Sequence, residues 1–374
     1  MDFSIGEEQQ ALAELAGRIF GDRATPERLR EWDGGVDGAL WAELARAHLL
    51  GVALPEDVGG AGLGFFELCL VLEEQGRHLA PVPLVPALVQ AGLPIAAFGD
   101  ARQRARLLAP LARGEAILSG AFLEPGVGDA TRTRVAARPD GTAWRLDGEK
   151  VCVPAADAAA RVLVPAAGAA REAGVFLVDP SGPGVTLEAQ VATHGERVFR
   201  MRLDGAPVAA GDVLGDPRAG GAIVRWIEER ARVALAAVQL GVAEEALRRT
   251  AAYTGQRKQF GRPIGSFQAV SLRAADAYID VEAMRSTLWQ AAWRLSEGLP
   301  AAREAAVAGW WACRGGHRVV HAAQHLHGGQ GADVDYPIHR YFLWARHVDV
   351  SLGGASRALA GLGPLLARAE AGGA

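Results

Sequence analysis

Helical and strand textures are segregated along this chain, in the order helices, strands, helices, and that order restricts the fold. Over residues 5–50 apolar residues recur at helical spacing: Leu12, Leu15, Ile19 and Phe20, then Leu40, Leu44 and Leu49 after Trp41. Further helices are expected at Phe65–His78, 85–97 and 101–113. Near Ile117 the texture changes. Runs such as Ala143-Trp-Arg-Leu, Arg161-Val-Leu-Val and Gly174-Val-Phe-Leu-Val stand between Gly, Pro and Asp, as strands and turns do. Helical periodicity returns near Gly220 in four long stretches, 223–254, 267–297, 301–326 and 336–369. Segregation of this kind predicts an α+β architecture, not an alternating parallel sheet. It divides the chain into an N-terminal helical domain (1–116), a middle β-domain (117–218) and a C-terminal four-helix bundle (219–374). A chain of 374 residues is long enough for two or three packed domains.

Composition narrows the function. A formal charge of −4 argues against a nucleic-acid surface as the main role. Lysine occurs only at Lys150 and Lys258 and asparagine is absent, while Ala, Gly and Arg abound. The arginine excess therefore reflects a compositional bias and does not by itself indicate phosphate binding. Cys69, Cys152 and Cys313 are widely spaced, form no CxxC and imply neither a disulfide framework nor a zinc site, which suits a reducing cytoplasm. The acidic start, Met1-Asp-Phe-Ser-Ile-Gly-Glu-Glu, does not read as a signal peptide. The uncharged run from Leu79 to Gly99 contains Pro81, Pro83, Pro86 and Pro94, so it reads as a loop and a buried helix, and no membrane association is expected.

Two strings carry chemistry. In Arg257-Lys-Gln-Phe-Gly-Arg-Pro-Ile-Gly-Ser-Phe-Gln268, the Arg257 guanidinium can clamp a phosphate with paired donors. Gln268 offers an amide, and Phe260 a flat apolar surface. A helix–helix turn with a surface arginine is the plainer explanation of those residues taken singly. In His325-Leu-His-Gly-Gly-Gln-Gly331, Gly328 and Gly329 let backbone N–H groups approach a phosphate, although glycine also simply ends helices. A zinc site at His325 and His327 lacks further ligands nearby, and no metal is expected.

The first string resembles the R-x-x-F-G-x-P-(I/L)-x-x-(F/H)-Q pattern of the acyl-CoA dehydrogenase family. The second, with Tyr336-Pro-Ile-His-Arg340, resembles that family's QLHGGxG…YPLHR element, His325 standing where many members have Gln. Leu54-Pro-Glu-Asp-Val-Gly-Gly-Ala-Gly62 is similar to its P-E-x-x-G-G-x-G turn, and Phe122-Leu-Glu-Pro-Gly126 to its T-E-P strand end, with Leu123 in place of Thr. The W-I-T-N flavin contact is missing after Lys150. The resemblance implies a fold of N-terminal helices, middle β-domain and C-terminal bundle. It implies FAD held by Arg257, Phe260, Gln268 and the loop His325, Leu326, His327, Gly328 and Gly329, the loop reaching across a subunit interface. It implies α,β-desaturation of an acyl-CoA substrate, with electrons passed to an electron-transfer flavoprotein.

That chemistry needs a carboxylate within reach of the α-proton. Most members carry a Glu shortly after the YPLHR element; here the matching segment is Ser351-Leu-Gly-Gly-Ala-Ser356, with Gly353 in the place of Glu. A minority carry it twenty-six positions before the motif arginine, where this chain has Ala231, followed by Arg232. Glu228 and Glu229 are weak substitutes: Glu228 lies about 60° around a helix from Ala231, given about 100° per residue, and both belong to a charge run that reads as solvated. Asp349 ranks lower still. The retained FAD string without a base resembles one subunit of bacterial heterotetrameric (α2β2) dehydrogenases acting on steroid-CoA esters, in which a second acyl-CoA dehydrogenase-like subunit carries the base. Two other readings stay open: a self-sufficient homotetramer using Glu228 or Glu229, and a non-catalytic acyl-CoA-binding or structural homologue.

Overall fold

A computed structural model describes residues 5–168 and 172–371. Among these residues six α-helices come first: α1 (Glu7–Arg23), α2 (Pro26–Glu31), α3 (Gly38–Arg46), α4 (Phe65–His78), α5 (Leu93–Phe98) and α6 (Ala101–Ala112). Seven strands follow: β1 (Ile117–Gly120), β2 (Ala136–Asp140), β3 (Ala143–Pro154), β4 (Ala159–Ala167), β5 (Ala173–Val178), β6 (Val185–Val191) and β7 (Arg197–Val208). Then come α7 (Gly220–Gln256), the two-residue strands β8 (Lys258–Gln259) and β9 (Arg262–Pro263), α8 (Gln268–Ser296), α9 (Ala302–His327), α10 (Ile338–Ser351) and α11 (Gly354–Ala371). The chain forms two compact units, one of Met1–Glu31, Phe65–Ala80 and Arg232–Ala374, the other of Trp32–Gly64 and Pro81–Ala231.

The first unit is helical. Its α4 and α7 touch backbone to backbone. A Cβ on Gly241 would stand 1.9 Å from the Glu73 carbonyl oxygen, and one on Gly76 2.0 Å from that of Val238. Ionic groups surround the crossing. Arg77 donates to Glu73 (3.0 Å) and Glu244 (2.7 Å), and Arg285 of α8 donates to Glu244 (2.7 Å). Burial pushes the Glu73 carboxyl up to about 7 against the pull of Arg285 and Arg77.

In the second unit the strands run in the order β1-β4-β2-β3-β7-β6, with β5 on β4. Pairs β3/β7, β6/β7, β4/β5 and β2/β3 are antiparallel; β1 and β2 meet β4 in parallel. Strand β5 is buried along its whole length, whereas β7 alternates over much of its run, so its sides face core and solvent in turn. The core includes Leu146, Val162, Val164, Phe176, Met201 and Leu203. Asp37 caps α3 and Asp100 caps α6 through paired backbone N–H groups and a capping box respectively. Gln103 of α6 then donates to the Gly211 and Val213 carbonyls (3.1 and 2.8 Å), tying that helix to the segment after β7.

Three readings of the sequence are refined. The helix over 85–97 starts as a π-helix at Val85–Gly92, in which Leu93 N–H reaches back five residues to Leu88. Pro94 has no N–H and its ring would press on the carbonyl four residues back, so a widened turn precedes it. Residues 5–50 hold three helices and a short 3-10 turn, interrupted at 24–25 and 32–37. The stretch 336–369 is two helices, divided where Gly353 and Gly354 both take positive φ (+81° and +79°).

Candidate functional site

The motif arginine directly follows the end of helix α7. Arg257 N–H donates to the Tyr253 carbonyl (2.8 Å), and the Arg257 carbonyl accepts from Ile264 N–H (2.8 Å). The chain between them is a β8–β9 hairpin, not the plain helix–helix turn that composition allowed. Its two tip residues, Phe260 (φ +53°) and Gly261 (φ +80°), both have positive φ, as a type I′ turn requires. Phenylalanine at the first position costs on the order of 1–2 kcal/mol; the residue is 91% exposed, and its ring meets Phe267 edge to face with centroids 6.2 Å apart. Arg262 lies over the Phe267 ring at 4.1 Å. Arg257 is exposed, and among the described residues its guanidinium has no hydrogen-bond or ion-pair partner. Gln268 is exposed as the first residue of α8.

The second string ends α9. His325 is exposed and its carbonyl accepts the Gly328 N–H, while Leu326 is buried. Gly328 turns the chain at φ +61°, ψ −137°, a region in effect reserved for glycine. A Cβ on Gly328 or Gly329 would meet nothing within 4 Å, so this turn presents open backbone. His327 faces the other way. Its ring is 2% exposed, stacks on Tyr253 (centroids 4.4 Å apart, 22° between planes), and its Nδ1–H donates to the Ala323 carbonyl at 2.8 Å. Burial holds its pKa below the ordinary histidine value. Tyr253 was not singled out from the sequence; its position one turn before Arg257 is the available signal. Arg340 donates to the Leu29 carbonyl (2.8 Å), which anchors the Tyr336-Pro-Ile-His-Arg segment.

In the sheet unit, the segment after β1 is pinned by a buried pair. Lys150 is 0% exposed and its ammonium donates to Glu124, which also accepts from Arg134 N–H (2.7 Å) and the Thr133 hydroxyl. Burial pushes Glu124 up, but the Lys150 charge and these hydrogen bonds outweigh it and leave its pKa below the ordinary value. Burial brings Lys150 down to about 8. Val151 N–H donates to the Leu123 carbonyl (3.0 Å), and the β3/β7 register shifts between Lys150 and Val153, where Cys152 takes φ +52° and is exposed.

Neither position at which the resemblance places the base holds an acid. Gly353 sits after α10 with its N–H on the Val350 carbonyl (2.9 Å), exposed and in the left-handed region. Ala231 is 7% exposed within the unbroken α7. Glu228 and Glu229 are half-buried on the same helix, and Arg230 beside them stacks over Trp226 at 3.6 Å. The Asp349 carboxylate is engaged by Arg346 (2.6 Å), whose Nη1 also meets His317 Nδ1 (2.9 Å). The stem of Arg232 lies where a Cβ on Gly309 would be 2.8 Å from its Cγ and Cδ. Nearby, Cys313 is a neutral thiol, its pKa pushed up to about 12 by burial and by Asp349.

The fold and these strings define an oxidoreductase acting on CH–CH groups. The chain belongs to the acyl-CoA dehydrogenase family: the model of its N-terminal domain matches residues 6–115 and that of its C-terminal domain residues 219–358. It is 40% identical to acyl-CoA dehydrogenase FadE27 of Mycobacterium tuberculosis, covering 99% of this chain and 100% of that protein. Among solved structures it resembles a variant of the Tcur3481-Tcur3483 steroid ACAD, at 50% identity and TM-score 0.92, covering 98% of this chain and 100% of that one. It also resembles the ChsE4-ChsE5 complex from Mycobacterium tuberculosis, at 40% identity and TM-score 0.92, covering 98% and 99%. No helix among the described residues is long and apolar enough to cross a membrane.

Proposed function

We propose that this chain is the cofactor-motif subunit of a heterotetrameric, FAD-dependent acyl-CoA dehydrogenase that desaturates a bulky, steroid-derived acyl-CoA, the catalytic base coming from a second acyl-CoA dehydrogenase-like subunit. The observation that carries it is the pair of base positions, each committed to something else: Gly353 to a left-handed turn, Ala231 to a helix interior. The similarity to two-component assemblies, Tcur3481-Tcur3483 and ChsE4-ChsE5, supports the partner and the substrate class.

The residues suit FAD. Arg257 is exposed, and its guanidinium, without a partner among the described residues, suits pairing with a pyrophosphate. Gln268 stands at the N-terminus of α8, where unsatisfied backbone N–H groups favour an anion. Phe260 offers an exposed ring, and the Gly328–Gly329 backbone is open to close approach. His325 is exposed beside that turn, whereas Leu326 and His327 are buried and contribute main chain only. FAD held by these residues would supply a hydride acceptor for the β-hydrogen of the substrate, and a carboxylate of the partner subunit would take the α-proton. This chain's part is to bind and orient. An electron-transfer flavoprotein would be the acceptor of the electrons.

The test is anaerobic. The chain is purified alone and with its partner, its visible flavin spectrum is recorded, and acyl-CoA and steroid-CoA esters are added. Bleaching by the complex but not by the isolated chain is expected. Bleaching of the isolated, homomeric chain at full rate would overturn the reading, and absence of FAD from every assembly would favour a non-catalytic homologue.

A further inference from the structure

We infer that His327 is a positioning residue: stacked on Tyr253 and packed at a tilt beside Tyr336, it locks the Arg257 hairpin and the Gly328–Gly329 turn into one mechanical unit. The inference rests on the reading that these two segments hold FAD.

Three rings from separate stretches meet here. Tyr253 comes from the last turn of α7, His327 ends α9 and Tyr336 leads into α10. The Tyr253 and His327 rings stack at 4.4 Å; His327 and Tyr336 stand 5.3 Å apart, and Tyr253 and Tyr336 6.3 Å. The polar atoms are spoken for. His327 Nδ1–H donates to Ala323, which fixes the tautomer and leaves Nε2 as an acceptor facing the Tyr336 hydroxyl at 3.4 Å. The Tyr253 hydroxyl reaches the His327 carbonyl at 3.4 Å. With its ring 2% exposed, His327 has no edge left to touch a ligand, although it lies inside the glycine string.

The backbone connections give the stack its consequence. Tyr253 is the residue whose carbonyl holds Arg257 N–H, so the residue that fixes the ring of His327 also fixes the base of the hairpin. On the other side the chain reverses at Gly328, directly after His327, and Gln324 closes the turn onto the Gly331 carbonyl. A leucine in place of His327 would fill the space. It would lose the tautomer-fixing bond to Ala323 and the planar contact with Tyr253. Displacement of either string would then reach the other through Tyr253.

The experiment is amide hydrogen exchange on the full chain without FAD, comparing wild type with His327→Leu and Tyr253→Leu. Each variant is expected to speed exchange about tenfold or more in both segments, 257–264 and 328–332, by lowering their shared opening free energy. The sheet segments should be unaffected. Tyr253→Phe, which keeps the stack, should restore wild-type exchange. If His327→Leu loosens only 328–332, or Tyr253→Leu only 257–264, the coupling is refuted; the two variants read it from opposite ends, so failure of one to fold leaves the other decisive. FAD titration on the same proteins separates the two claims. A wild type that binds no FAD in any assembly but shows coupled exchange overturns the cofactor reading alone. A wild type that binds FAD no more tightly than His327→Leu overturns the positioning role.

Discussion

The buried Glu124–Lys150 pair makes a quantitative prediction, because each member is tolerable only with the other. Lys150 is 0% exposed and its pKa is held near 8, against 10.5 for the ordinary side chain. Glu124→Gln removes the opposing charge but keeps the shape. The stranded ammonium would give up its proton, and neutralising a lysine at pH 7 costs about 1.4 kcal/mol for each unit between pH 7 and its ordinary pKa, roughly 5 kcal/mol at most. The wild type already bears the part of that cost between 10.5 and 8, so neutralisation adds about 1.4 kcal/mol at pH 7; with the lost hydrogen bonds to the charged carboxylate, a loss of about 2–4 kcal/mol is expected. The pH dependence has a definite sign. A lysine whose folded pKa is depressed binds fewer protons folded than unfolded, so stability rises with pH between the two values. In the wild type that rise begins near pH 8 and ends near 10.5. In Glu124→Gln the folded pKa falls further, so stability should already climb by about 1.4 kcal/mol per unit from pH 7 to 8, where the wild-type contribution is nearly flat. Urea unfolding at pH 7, 8 and 9 of wild type, Glu124→Gln, Lys150→Met and the double variant Glu124→Leu/Lys150→Met measures both effects. The double variant should recover most of the loss, as apolar replacement of a buried pair often does. A cost below about 1 kcal/mol, or equal slopes for wild type and Glu124→Gln between pH 7 and 8, would refute the reasoning.

Three further outcomes are expected. Gly241→Ala, whose new methyl would meet the Glu73 carbonyl at 1.9 Å, should cost about 3 kcal/mol or more, whereas Gly255→Ala, with nothing within 4 Å, should change thermal stability little; equal effects would contradict the backbone crossing of α4 and α7. Gly353→Ala should lose about 1–2 kcal/mol from its φ of +81°, and an unshifted melting curve would count against the left-handed turn. Replacing Glu228 and Glu229 together by Gln should leave α-proton exchange of a substrate by the complex largely intact; a drop of about 10²–10⁴-fold would assign the base to this pair and favour the self-sufficient homotetramer.

Much of the molecule is legible in the sequence. The periodicity of Leu12, Leu15, Ile19 and Phe20, and of Leu40 and Leu44, finds α1 and α3 because burial on one face of a helix repeats every 3.6 residues. The turn-punctuated runs from Ile117 to Val208 find the sheet for the corresponding reason at period two. The strings around Arg257 and Gly328 mark their segments, and the absence of an acid at 353 and 231 is a plain fact of the sequence.

Orientation and partnership belong to the tertiary structure. Local pattern cannot distinguish an exposed His325 from a buried His327 two residues later, because the difference depends on Tyr253, which lies some seventy positions away in the chain. Nor can it show that Asp349 is already engaged by Arg346, or that one of only two lysines is sealed inside a sheet against Glu124. The hairpin tip at Phe260 and the double left-handed turn at Gly353 and Gly354 are likewise decided by how the flanking helices must continue. Sequence periodicity reports which face of an element seeks an apolar neighbour; the identity of that neighbour, and the charge and hydrogen-bond state it imposes, are set by contacts between residues distant in the chain.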